Sequence, residues 1–237
     1  MDVTINLAIA KTHKFGNRDS GDSAEVVERP GGGFSVVVVD GQGTGAQAKR
    51  LSLAVAGRAV TLLNEGVRDG VVARATHDFL YALRDGRVSA ELDIISVDLA
   101  SATVLFTRNS EVPMVVWQQG SLRLMRESGG RIGIYRHTRP KVLEFPAEPG
   151  LVALVVTDGV VNAGQRWGSP LVLDQLAARL ISDTTSVSAL ADGVLQGAMA
   201  ADHGRPNDDM TVVALSLGHG VHEQPVRRIV MSVPLPI

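Results

Sequence analysis

Four aspartates stand where the most apolar segments of the chain begin or end. Asp40 directly follows four valines, Asp158 closes VALVVT, Asp208 precedes MTVVAL, and Asp22 sits in SGDS. A carboxylate at the end of a core strand is costly to desolvate unless it is paired with a cation or with hydrogen-bond donors. Several such groups held together repel and raise one another's pKa, unless a hard divalent cation stands among them. The chain has no Cys, and His13, His77, His137, His203, His219 and His222 show no ligand spacing. Zinc is therefore a poor guest, and magnesium or manganese on oxygen donors a natural one. Taken singly, Asp40-Gly41 and Asp158-Gly159 read as ordinary turn chemistry. Taken jointly, with such strands beside them, they read as a metal site.

These acids need elements that bring them together. Residues 3 to 10 read as a strand, and SGDSAEVVERPGGGFSVVVVD as two strands joined by a turn centred on Gly31. Opposed residue numbers in that hairpin sum to about 62, which sets Asp22 across from Asp40. An antiparallel neighbour starting at Asp208 would begin beside the end of a strand finishing at Asp158. Between these pieces, Thr44 and Gln47 have capping-box spacing ahead of Leu51, Val55, Ala59 and Leu62 at helical period. A second helical pattern runs through Val72, Ala75, Phe79 and Leu83 to Asp85-Gly86.

Residues 88 to 145 alternate in short runs broken at Asn109, Gly120, Gly129 and Pro140, which predicts several antiparallel strands. LVALVVTDG predicts a fully apolar strand ending on Asp158. Ser169-Pro170 predicts the start of a helix carrying Leu173, Leu176 and Leu180, and a further helix spans Val187 to Ala201. The polar loop DHGRPNDD and the strand MTVVALSL follow, and RRIVMSV reads as an extra edge strand or, alternatively, a docking segment. Most histidines read as surface residues, and Trp117 and Trp167 as core filling. Strands, two helices, strands, two helices and a strand make an α+β layered sandwich rather than an alternating parallel fold. A single domain over 1–237 is expected, with a core at 3–217 and an edge strand or tail at 218–237.

Composition narrows the function. The 237 residues are 45% hydrophobic and only 4% aromatic, so the core is aliphatic. A net charge of -2 with interspersed signs gives no electrostatic footprint for nucleic acid or an anionic membrane. Without Cys there is no disulfide and no thiol nucleophile. The start MDVTINLAIAKTHK lacks the basic and apolar regions of a signal peptide, and no apolar run approaches the roughly 20 residues of a membrane span. A soluble, cytoplasmic monomer is expected.

SGDS at 20–23, VVVVDGQGTGAQA at 36–48, GGRIGI at 129–134, VVTDGV at 155–160 and DDMTVVAL at 208–215 together resemble the metal-dependent protein phosphatases of type 2C. The resemblance is to the bacterial branch typified by the sporulation stage II E phosphatase, and it covers nearly the whole chain in family order. It implies two stacked antiparallel sheets flanked by helices, with two Mn²⁺ or Mg²⁺ ions at one end. By the same resemblance, Asp40 bridges both ions, Asp158 and Asp208 complete one site, and Asp22 with the Gly41 carbonyl completes the other. A water activated by both ions then attacks phosphoserine or phosphothreonine in line, which gives Asp40 and Asp158 catalytic roles.

Where eukaryotic members place a His acid this chain has Gln42, which cannot donate a proton as an acid. Arg18 and Lys14 are the candidates nearest Asp22 for holding the phosphate, and Asp209 reads as a loop-capping residue. With its first strand at residue 3 and no sensor segment expected, the chain resembles the small feedback phosphatases of the stressosome and of partner-switching pathways. The implied partner is a phosphorylated signalling protein. The glycines at 41, 43 and 45 also look like a dinucleotide loop, but two helices follow where that fold needs a parallel strand. A binding module that recognises a phosphorylated partner without hydrolysing it is the alternative reading.

Overall fold

In the computed structural model, which describes residues 3–183, 186–220 and 227–233, side-chain alternation along one strand sets the architecture. β3 (Phe34–Gly41) buries Val36 and Val38 in one core and Val37 and Val39 in another. A strand buried on both faces needs a layer on each side. A second sheet supplies one layer and a pair of helices the other.

The first sheet has the order β2 (Asp22–Glu28), β3, β4 (Ala90–Asp98), β5 (Thr103–Asn109), β8 (Lys141–Pro146). The second has the order β1 (Val3–Thr12), β10 (Met210–His219), β9 (Val152–Val156), β6 (Met114–Gln118), β7 (Ser121–Met125). Every strand pairing is antiparallel. Helices α1 (Gly45–Asn64) and α2 (Asp69–Arg84) cover the first sheet through Leu51, Val55, Ala59, Val72 and Leu80. On the outer face of the second sheet lie α4 (Leu173–Asp183) and α5 (Val187–Ala201), while α3 (Asp158–Val161) is a single turn after β9. Between the sheets, Val36, Val38, Ile95 and Phe106 meet Ala153, Val155, Val213 and Leu215. Among the described residues no helix is long and apolar enough to cross a membrane.

Several local expectations give way to packing. Thr44 has the extended backbone of an N-cap but makes no side-chain cap hydrogen bond, so the capping box with Gln47 does not form. The buried face of α2 is Val72, Ala73, Thr76, His77 and Leu80; Leu83 is exposed. A hydrophobicity pattern misplaces this face because two of its buried residues are polar. β9 ends at Val156, and Asp158 opens α3 instead of closing the strand. α4 starts at Leu173 because Ser169 N–H bonds to the Gly164 carbonyl and Leu171 N–H to that of Ala163, folding this stretch back on the preceding turn.

Residues 227–233 form no strand, and Ile229, Val230 and Met231 are exposed; Arg227 reaches Glu28 at 3.5 Å. Residues 221–226 and 234–237 of the expected tail lie outside the described residues. Trp167 is exposed and packs edge-on against His203, and His77 is buried rather than on the surface.

Phe106, 1% exposed, meets Phe145 edge-to-face at 5.7 Å in the middle of the inter-sheet core. Phe106→Ala should lower unfolding free energy by about 3–5 kcal/mol. Leu99→Ala, at a half-exposed turn, should change it by less than about 0.5 kcal/mol. Urea denaturation checks both, and equal losses would contradict the core placement.

Candidate metal centre

The alternation that sends Val36 and Val38 into the inter-sheet core puts Asp40 on the same face, at the open end of that core. Asp40 lies directly opposite Asp22 on β2 and opposite Glu91 on β4. Three carboxylates thus line up across three neighbouring strands. Gly41, on the opposite face, has to be glycine because a Cβ there would stand 2.6 Å from the Ala48 carbonyl oxygen of α1. From the other sheet, β9 and β10 pair as Val156 with Val212, and the chain just beyond that pair carries Asp158 and Asp208. The two loops are in contact: a Cβ on Gly159 would collide with the Asp209 carbonyl and stand 3.3 Å from the Asp208 Cβ.

Asp22 ties the two sheets together. Its Oδ2 accepts hydrogen bonds from Thr157 Oγ1 at 2.8 Å and Thr211 Oγ1 at 2.6 Å, both on the second sheet's side. The ammonium groups of Lys11 and Lys49 each donate to the Asp22 backbone carbonyl at 2.9 Å. Burial, then the charge of Lys49, lowers the Lys11 pKa. Asp209 accepts from Lys14 N–H through Oδ1 and from Gly21 N–H through Oδ2, both at 2.8 Å, and so pins the 14–21 loop beside Asp22.

The acids outweigh the cations. Burial first, then the charges of Asp22, Asp158, Glu91 and Asp208, pushes the Asp40 carboxyl up from 3.8 to about 9. Burial raises Asp22 to about 6 despite its hydroxyl donors, and Glu91 and Asp208 also move upward, in each case chiefly through desolvation. Among the described residues the one guanidinium paired with these acids is Arg131, with Nη2 at 3.0 Å from Glu91 Oε1 and 3.9 Å from Asp158 Oδ2, and Nε at 3.7 Å from Glu111 Oε2.

Residues 30–218 match the family described as Stage II sporulation protein E (SpoIIE). The chain belongs to the SpoIIE family. It is 22% identical over 217 residues to the Stage II sporulation protein E of Priestia megaterium, covering 91% of this chain and 37% of that protein. The chain thus spans little more than a third of that curated relative. Its fold matches the PP2C phosphatase domain, with a fragment of the regulatory domain, of the cell fate determinant SpoIIE from Bacillus subtilis: TM-score 0.80, 21% identity, 92% of this chain and 64% of that one. RsbX in complex with magnesium matches with TM-score 0.71 and 15% identity over 90% of this chain and 96% of that one. The fold is that of the PP2C-type serine/threonine phosphatases.

Within this SpoIIE-family fold the residues suit a hard cation: every donor is an oxygen, and the acids outnumber the cations beside them. Among the described residues, however, no three His, Asp or Glu side chains are grouped so that they could hold a metal ion as they stand. Asp22 spends one carboxylate oxygen on two hydroxyls. Of the predicted phosphate residues, Lys14 backs Asp208 and lowers its pKa somewhat. Arg18 is exposed and makes no hydrogen bond or ion pair among the described residues. Gln42 Oε1 accepts from Ser89 N–H at 2.8 Å and Ser89 Oγ at 3.2 Å, tying the end of β3 to the start of β4.

The reading from sequence missed Glu91, Arg131 and the buried pair beneath them. Asp93 lies one pleat below Glu91 with Arg108 Nε at 3.4 Å, and Arg108 donates to the carbonyls of Met125, Glu127 and Val112. The available signal was AELDIIS, whose two acids share one face of an apolar strand, and the single Arg inside GGRIGI.

Because folding raises the Asp40 carboxyl from 3.8 to about 9, the folded metal-free chain holds a proton that the unfolded chain releases. Stability from this group is full below the unfolded value, falls as pH rises through the window, and levels off above about 9. Thermal melting of chelated protein from about pH 5 to 9 should show that decline. Asp40→Asn should flatten it, and an unchanged slope in that variant would place the proton elsewhere.

Proposed function

We propose that the chain is a metal-dependent protein serine/threonine phosphatase. The observation that carries this reading is the carboxylate row Asp22, Asp40, Glu91 facing Asp158 and Asp208 at the end of the inter-sheet core, in a SpoIIE-family chain. Two Mn²⁺ or Mg²⁺ ions would be held by Asp22, Asp40, the Gly41 carbonyl, Asp158 and Asp208, and when bound they acidify water and neutralise phosphoryl oxygens. Magnesium in the similarly folded RsbX structure supports the choice of metal. The protein's own part is placement. The two threonine hydroxyls fix Asp22, the strand register fixes Asp40 against it, and Arg131 offers a planar fork between Glu91 and Asp158 where a phosphoryl group can be met. Arg131 replaces Arg18 as the candidate phosphate residue.

The substrate we infer is phosphoserine or phosphothreonine on a folded cytoplasmic signalling protein of the stressosome or partner-switching kind. Gln42, engaged with Ser89, supports a second reading in which the site recognises the phosphorylated partner without turnover.

Purified protein should hydrolyse an aryl phosphate with Mn²⁺ or Mg²⁺ and stop with chelator, and Asp40→Asn should slow it at least about 100-fold. Unchanged activity in that variant removes Asp40 from the mechanism. Calorimetric Mn²⁺ binding without turnover selects the binding module. A further comparison is kcat/KM on an intact phosphodomain against its excised phosphopeptide. The intact domain should be much the faster, since contacts away from the phosphate supply the difference; equal rates exclude docking.

A further inference from the structure

A second polar cleft, of about 240 Å³, lies between α2 and the segment leading into β8. Its walls are Arg74, His77, Asp78, His137, Thr138 and Arg139, none of which belongs to the carboxylate row. His77 is 2% exposed, and its Nδ1 accepts the Gly133 N–H at 3.1 Å. A backbone N–H only donates, so the proton of the neutral ring sits on Nε2. That N–H has no partner among the described residues, and neither does the buried Thr138 hydroxyl. Buried polar groups are almost always satisfied, so two unmet groups in one cleft call for an occupant that accepts hydrogen bonds.

We propose that this cleft binds a phosphate oxyanion, free or carried as a monoester. Arg74 and Arg139, exposed residues of the cleft wall, form no ion pair among the described residues, and each brings a forked donor to that wall. Forked donors suit tetrahedral oxygens better than a single point charge does. Asp78, one helical turn after Arg74 on α2, adds a negative charge to the wall that opposes an anion. The cleft shares a chain segment with the carboxylate site. Arg131 reaches Glu91, Ile132 pairs with Ala90, and Gly133 holds His77. The proposal does not rest on the phosphatase reading.

The test is NMR titration of the isotope-labelled full chain in chelator, which keeps metal out of the carboxylate site. Inorganic phosphate should give saturable shifts at the Gly133 amide and the His77 ring. The Arg74→Gln/Arg139→Gln double variant, altered only at exposed positions, should bind at least about tenfold more weakly. Asp78→Asn should bind more tightly. A phosphoserine peptide run in parallel names the source: tighter binding than inorganic phosphate assigns the site to a phosphorylated side chain, and weaker binding to free phosphate. No saturable shift, an unchanged affinity in the double variant, no gain in Asp78→Asn, or shifts at Asp40 and Asp158 in place of Gly133 and His77 would each overturn the proposal.

Discussion

Two stacked sheets share no backbone hydrogen bonds, so their separation at the open end has to be fixed by side chains. Here the junction centres on Asp22. Asp22 Oδ2, on the first sheet, receives the hydroxyls of Thr157 and Thr211 from the second, and the Thr157 hydroxyl in turn accepts the Thr211 N–H. This three-residue latch brings the Asp158 and Asp208 loops over the row that starts at Asp22. Without it, a strand register that places Asp40 correctly within one sheet would say nothing about its distance from the acids of the other. A charged acceptor with two hydroxyl donors is among the stronger buried polar arrangements.

The same junction concentrates negative charge, and the surroundings answer unevenly. Lys11 and Lys49 meet the Asp22 carbonyl rather than its carboxylate, Lys14 stands by Asp208, and among the described residues only Arg131 bridges acids from both sheets. The Asp40 carboxyl is raised first by its burial and then by the acids around it. Charge left uncompensated in a preorganised cleft is a common physical signature of a binding or catalytic centre, because it destabilises the empty site in favour of a charged guest.

Much of this was legible in the sequence wherever a local rule met no competition. The turn centred on Gly31 fixes a two-strand register by arithmetic, and Asp22 indeed pairs with Asp40. The boundaries of α5 follow from an uninterrupted pattern between polar flanks, Val187–Ala201. Legibility failed where a polar residue is buried for a tertiary reason. Thr76 and His77 turn α2 away from its apolar stripe, and Ser169-Pro170 looks like a helix start but is held in a turn by Gly164. Glu91 and Arg131 were hidden for a related reason: each gains its role from a neighbour more than 15 residues away in the chain. Hydropathy patterns carry no term for such pairs.

The buried pair beneath the row has an evolutionary consequence. Arg108 gives its guanidinium to three backbone carbonyls and stands against Asp93, so removing Asp93 leaves a buried guanidinium without its counter-charge, and removing Arg108 leaves Asp93 and three carbonyls without their donor. Lineages descending from a common ancestor should therefore cross this position in linked steps or not at all. Divergent relatives are expected to keep both residues or to lack both, and a chain found with only one of them is a candidate for having changed its packing nearby as well.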